Sequence, residues 1–268
     1  MTMRAAARRP AFAGCSCLSC VDGPAILLAQ FRARADTPCR ETEMLEDKDG
    51  FAILHEPSVG DRRPATASKG HCTGHIMVGP WPGRVLNIES HLEQSWAYCL
   101  NTHPMTRTLC EQVSFRWQAT SGKWLAHYFD FCVEQLDGLH IAYSVKPEAR
   151  VTAKFEAEIA AIARQAIDTG FADDVRLLMD TNLDQVELSN AKLTYSMRKP
   201  DPEADNAAAE AIFQMTGVVT LAELTSRIGQ GARGYRALIR NIGQGCLRLT
   251  RHELITHSTE VFRTGVAA

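Results

Sequence analysis

The apolar positions between about residue 90 and residue 200 fall into two rhythms. Leu92, Trp96, Cys99 and Leu100 recur at helical spacing, with Ser90 as a fitting N-cap and 101–104 as the stop. Three strand-like runs follow at 109–119, 124–135 and 139–147, the first two separated by the turn residues Thr-Ser-Gly-Lys. Helical spacing returns with Phe155, Ile159, Ile162 and Ala166 over 152–168. A short apolar run at 174–179 then predicts a buried strand, and a further helix is expected near 183–197. The order α-β-β-β-α-β predicts an α/β (α+β) domain, a mixed sheet flanked by helices, in place of regular βαβ alternation.

The flanks behave differently. Residues 1–82 show little periodicity apart from a short helical stretch at 25–33, and end in Gly-Pro-Trp-Pro-Gly at 79–83. They read as a poorly ordered tail, with ordered structure expected from about Val85. "RKPDPEAD" at 198–205 combines Pro with charge and reads as a linker. Beyond it come helices at 203–215, 220–228 and 232–242, a turn at Gly229 and Gly231, and two short strands at 246–251 and 253–258. That sequence of elements is the plan of a winged helix. The expected division is therefore a tail at 1–82, a mixed-sheet core at 83–200 and a winged-helix-like unit at 201–268.

Composition narrows the function classes. No apolar run in the 268 residues approaches the length of a bilayer span, and the Arg-rich start lacks an apolar signal region, so a cytoplasmic protein without membrane association is expected. The nine cysteines are odd in number and scattered, which suits reduced thiols. Cys15, Cys17 and Cys20, with Cys39 or with His71, Cys72 and His75, lack the paired spacing of a structural zinc site. The net charge of −2 hides an asymmetry: no acid lies between Glu223 and Glu253, whereas Arg227, Arg233, Arg236, Arg240, Arg248 and Arg251 all do. An anionic partner, double-stranded DNA, is the expectation. Arg233, Arg236 and Arg240 would line one helix away from the stripe of Tyr235, Leu238, Ile239 and Ile242, with Arg248 and Arg251 reaching phosphates from the hairpin. The competing reading is a solvated arginine face used for protein contacts.

The chemistry lies around Asp137-Gly138, a strong hairpin signal between alternating runs. A two-residue loop pairs Asp130 with Val145 and turns Lys146 away from it. A three-residue loop, 136–138, pairs Asp130 with Ser144 and makes Lys146 its diagonal neighbour. Only the second register gathers an acid and a lysine on one face, as metal-assisted phosphodiester cleavage needs. Glu93 is the candidate second acid, although Ser90-His91-Leu92-Glu93 also spells a capping box.

Taken together, "ESHLEQSWAYCLNTHP", "CEQVSFRW", "HYFDFCVEQLDG" and "YSVKP" resemble the TnsA-type transposon endonucleases of the PD-(D/E)XK, restriction-endonuclease-like superfamily, over about 85–200 and more loosely to the C-terminus. The resemblance implies a restriction-endonuclease-like core with a C-terminal winged helix. It also implies a Mg²⁺-dependent DNA endonuclease, with Mn²⁺ as substitute, that cuts one strand at transposon ends. Its partners would be a DDE-type transposase and a transposition ATPase, and bound to DNA it would associate with the nucleoid. Glu93 and Asp130 match the metal-binding acids, Lys146 the catalytic lysine and Gln112 the family's strand glutamine; Ser144 falls where many relatives carry Glu. The expected ligands are Glu93, Asp130, the Val145 carbonyl and, weakly, Ser144. The alternative expectation is a catalytically inactive nuclease fold that acts through its winged helix.

Overall fold

The computed structural model describes residues 54–64 and 72–264. In chain order the elements are β1 (Gly74–Val78), β2 (Arg84–Ile88), α1 (His91–Thr102), β3 (Thr106–Gln118), β4 (Trp124–Gln135), β5 (His140–Val145), α2 (Ala153–Asp168), β6 (Asp174–Leu178) and α3 (Gln185–Ser196). After these come α4 (Pro202–Gln214), β7 (Val218–Thr220), α5 (Leu221–Ile228), α6 (Ala232–Gly243), β8 (Leu247–Leu249) and β9 (Glu260–Arg263).

Strands β3, β4, β5 and β6 form one mixed sheet in that order. The first three are antiparallel, while β5 and β6 are parallel, joined by a crossover through α2. The expectation of a mixed α/β sheet is met. One face packs Val113, Phe115, Trp117, Phe129 and Cys132 against Ile162 and Ala166 of α2 and against Phe171. The other packs Leu109, Phe131, Val133, Ile141 and Tyr143 against Ala97 of α1 and against Ile76, Val78, Leu86 and Ile88 of the β1–β2 ribbon. Each fully buried aromatic or branched side chain contributes about 1.5–3 kcal/mol of transfer free energy, so both faces are heavily stabilised.

Described structure begins earlier than the expected Val85. Met77 pairs with Val85 in the β1–β2 ribbon, and Gly83 closes its turn at φ +89°, where a Cβ would meet the Val78 carbonyl at 2.9 Å. Segment 54–64 lies along β2 and β3. Glu56 N–H donates to Gly83 O, Val85 N–H to Glu56 O, and Asp61 N–H to Gln112 O. The Asp61 carboxylate accepts from both the N–H and the hydroxyl of Ser114, and Ser58 donates to the buried carboxylate of Glu111, which also pairs with Arg84. These contacts correct the tail boundary of 82. The helix expected at 25–33, His71 and the cysteines at 15, 17, 20 and 39 lie outside the described residues.

The C-terminal elements gather around Ala204, Ala208, Leu221, Leu224, Leu238, Ile239 and Val261. Their small sheet runs β7-β9-β8. Two details depart from expectation. Strand β7 was not foreseen, and the second strand of the hairpin is Glu260–Arg263, not 253–258. Asn190 of α3 holds that stretch instead, donating to Glu253 O and accepting from Ile255 N–H. Helix α3 is thus shared: Leu188 and Ala191 pack with Cys99 of α1, while Leu193 and Met197 pack into the C-terminal core. No described helix is long and apolar enough to cross a membrane.

Candidate functional site

The hairpin adopts the three-residue loop. Glu134 pairs with His140 and Phe131 with Tyr143. Gln135 N–H donates to Leu139 O, Gly138 N–H donates to Gln135 O, and Gly138 sits at φ +84°. This register sets Asp130 opposite Ser144 at the open end of the hairpin.

At that level both long strands lose their alternation. On β3, Cys110 and Val113 share the α2-side core although an odd number of steps separates them, and on β4 the same is true of Phe129 and Cys132. The irregularity centres on Gln112, the one non-glycine residue with positive φ (51°) among the described residues. Such a backbone in a buried residue stores about 1–3 kcal/mol of strain, and strain of this kind gathers at functional sites. The Gln112 side chain reaches Asp130 on one side and Arg62 on the other.

A directed chain of hydrogen bonds results. Arg62 Nη2 donates to Gln112 Oε1 at 2.9 Å and to Glu89 Oε2 at 2.6 Å. Gln112 Nε2 donates to Asp130 Oδ1 at 3.4 Å. Asp130 Oδ2 accepts the Val145 N–H at 2.6 Å, taking over where the β4–β5 backbone ladder stops. Burial, against the pull of the Val145 N–H and with help from the nearby charge of Glu93, pushes the Asp130 carboxyl up to about 7; Gln112 and Arg62 oppose the rise.

Glu93 reaches this centre from the first turn of α1. It also caps that helix: Oε2 accepts the Glu89 N–H at 2.8 Å, Oε1 accepts the Ser90 hydroxyl at 2.8 Å, and its own N–H donates to Ser90 Oγ. Burial raises its pKa, countered by those hydrogen bonds. Glu93 is therefore both a cap and a charged neighbour of Asp130.

The other two hairpin residues are engaged elsewhere. Ser144 Oγ lies 3.1 Å from His127 Nε2, and burial holds the His127 ring near pKa 4, so the ring is neutral at pH 7. Lys146 Nζ stands 3.7 Å from the centre of the Phe155 ring of α2. The structure thus brings Glu93, Asp130 and Gln112 together, with Glu89 and Arg62 beside them, and gives Ser144 and Lys146 other partners. Among the described residues no three His, Cys, Asp or Glu side chains form a closed metal cage. A buried and a half-buried carboxylate side by side nevertheless suit a hard cation such as Mg²⁺, which keeps most of its ligands as water and substrate oxygen. Sequence reasoning missed Arg62, which lies in a stretch without periodicity, and His127, one apolar-strand histidine among many possibilities.

The arginines of the C-terminal unit divide into two sets. Arg233 pairs with both carboxylate oxygens of Asp201 at 2.7 Å and with Glu203. Arg240 is buried, bonded to Asp205 and to Met197 O. Both are engaged by acids of the first turns of α4, Arg233 at the surface and Arg240 in the core, whereas all three arginines of α6 were expected to line a DNA-facing side. Arg251 lies 3.6 Å from Glu260. Arg236 and Arg248 are exposed and make no hydrogen bond or ion pair within the described residues.

No family model matches the chain, and no curated protein matches it significantly.

Proposed function

We propose that this protein is a divalent-metal-dependent DNA endonuclease of the kind its sequence resembles, hydrolysing one strand at transposon ends beside a DDE-type transposase and its ATPase. One observation carries the reading: Gln112 and the Val145 N–H fix Asp130 on the sheet beside Glu93 of α1, whose charge adds to burial in raising the cost of ionising Asp130, and a bound cation stabilises such a pair. Glu93 and Asp130 would hold Mg²⁺ or Mn²⁺, with the Val145 carbonyl as a further oxygen donor; Ser144, taken up by His127, drops out of the ligand set. Such an ion supplies Lewis-acid stabilisation of the phosphate and a more acidic water. Gln112 orients Asp130. Lys146 has a flexible stem that lets its ammonium leave the Phe155 ring and meet the scissile phosphate.

The element order from α1 to β6 supports a restriction-endonuclease-like core. The order α4-β7-α5-α6-β8-β9 with its three-stranded sheet supports a winged helix. In this reading Arg236 and Arg248 contact DNA phosphates.

A second reading, a catalytically inactive nuclease fold that binds DNA, is favoured by the engagement of Lys146 on Phe155 and of Ser144 on His127. A plasmid-nicking assay separates them. The endonuclease reading expects nicking with Mg²⁺ or Mn²⁺ that is lost in Asp130→Ala and Lys146→Ala; wild-type protein no more active than those variants sinks it.

A further inference from the structure

We propose that Arg62 is a built-in counter-cation of the Glu93–Asp130 centre, which a divalent ion must displace. The inference rests on the reading of those two acids as cation ligands and adds the means by which segment 54–64 regulates them.

Glu93, at the start of α1, neighbours Asp130 of β4 on one side and Glu89, just beyond β2, on the other. A guanidinium enters this group from outside the core. Arg62 Nη2 bonds Glu89 and Gln112, and its positive charge lowers the pKa of both Glu93 and Asp130. It lies over the Tyr128 ring, 5.4 Å from the centroid. Its anchorage is specific: Asp61, its neighbour, is tied to Gln112 O and to Ser114, and Ser58 to Glu111. Arg62 is nevertheless 44% exposed at its side chain, so it can withdraw into water without unpacking the core. A monovalent cation in this position pairs with Glu89 and partly offsets the charge of Glu93 and Asp130 when no metal is bound. It repels a divalent ion that arrives, because two cations within several ångströms at a partly buried site interact strongly. Segment 54–64 would then act as a plug whose charge, not its bulk, sets the metal affinity.

The test is Mn²⁺ binding to the full chain, read from the electron paramagnetic resonance of free Mn²⁺, for wild type, Arg62→Met and Arg62→Lys. Methionine keeps the length and removes the charge; lysine keeps the charge. We expect Arg62→Met to bind Mn²⁺ roughly tenfold more tightly than wild type, with Arg62→Lys close to wild type. Equal or weaker binding in Arg62→Met overturns the counter-cation role while leaving the acids as ligands. Absence of Mn²⁺ binding in wild type and variant alike overturns the ligand assignment, and the counter-cation role with it. Arg62→Gln, which retains a donor toward Glu89, carries the same comparison if Arg62→Met does not fold.

Discussion

Gln112 presents its amide to Asp130 in a single orientation. Its Oε1 is committed to Arg62, so Nε2 must face Asp130 Oδ1, 3.4 Å away. With Val145 N–H on the other oxygen, both Asp130 oxygens meet donors. The hydrogen bonds favour the carboxylate, burial and Glu93 favour the neutral acid, and burial wins.

That balance has a consequence for stability. The Asp130 carboxyl rises from an ordinary 3.8 to about 7 on folding. Between those values the folded chain holds more protons than the unfolded one, so Asp130's contribution is full below the lower value and is lost as pH rises through the upper one. His127 works in the opposite sense. Its ring falls from 6.5 to about 4 on folding, so its contribution is present above the first value and lost as pH falls through the second. Urea unfolding across pH 4–8 separates them: Asp130→Asn should lose the decline toward high pH and His127→Gln the decline toward low pH, each amounting to about 3–4 kcal/mol. An Asp130→Asn profile parallel to wild type refutes the assignment.

Glu93 combines two roles that substitution can part. Glu93→Gln keeps an acceptor for the Glu89 N–H and should change stability by less than about 0.5 kcal/mol, whereas Glu93→Ala leaves the Ser90 N-cap but removes the acceptor for the Glu89 N–H and the Ser90 hydroxyl, and should cost about 1 kcal/mol. Both remove the charge, so metal-dependent nicking should fall in both by at least about a hundredfold, each 1.4 kcal/mol of lost transition-state stabilisation being tenfold. Activity that follows stability and not charge would make Glu93 a cap only. Thermal melts and nicking rates measured side by side decide the matter.

Gly243 ends α6 against α3, and a Cβ there would lie 2.4 Å from Thr194 Cγ2. Gly243→Ala should therefore destabilise by about 1–3 kcal/mol through overpacking. Thr194→Ser removes the opposing methyl, and the double variant should recover most of that loss. A double-mutant cycle with no coupling would mean that the two helices separate freely.

The long-range features were legible to unequal degrees. Patterning located α1 and α2 because each turns one apolar stripe to a core, and β3 to β5 because their runs are apolar on both faces of the sheet. The three-residue loop could be posed as one of two registers but not chosen, since Asp137-Gly138 is compatible with both; Gly138 at φ +84° closes the wider one. The ribbon β1–β2 escaped notice because five-residue strands beside a Gly-Pro-Trp-Pro-Gly turn carry little periodic signal. Lys146 was expected toward Asp130, yet the ring of Phe155, nine residues on and on a separate helix, draws its ammonium. Segment 54–64 gave no sign that it ran along the sheet, because its attachment is made of backbone, short polar side chains and one arginine, with no apolar periodicity.

The arginine block shows why a charge count along the chain misjudges a surface. No acid lies between Glu223 and Glu253, but Asp201, Glu203 and Asp205, from the stretch that reads as a linker, fold back onto Arg233 and Arg240. Arg240, buried and hydrogen-bonded, is a structural cation: Arg240→Ala should destabilise by about 3 kcal/mol and leave Asp205 short of its partner. Arg236 and Arg248 are the exposed pair, and their replacement by Ala should leave the melting temperature nearly unchanged. If they meet phosphates, each substitution should weaken DNA binding and reduce the slope of log K against log salt by about 0.9. Titration of a labelled duplex at several salt concentrations measures that slope directly. Unchanged slopes in Arg236→Ala and Arg248→Ala, with affinity intact, would move the nucleic-acid surface off α6 and the β8–β9 hairpin altogether.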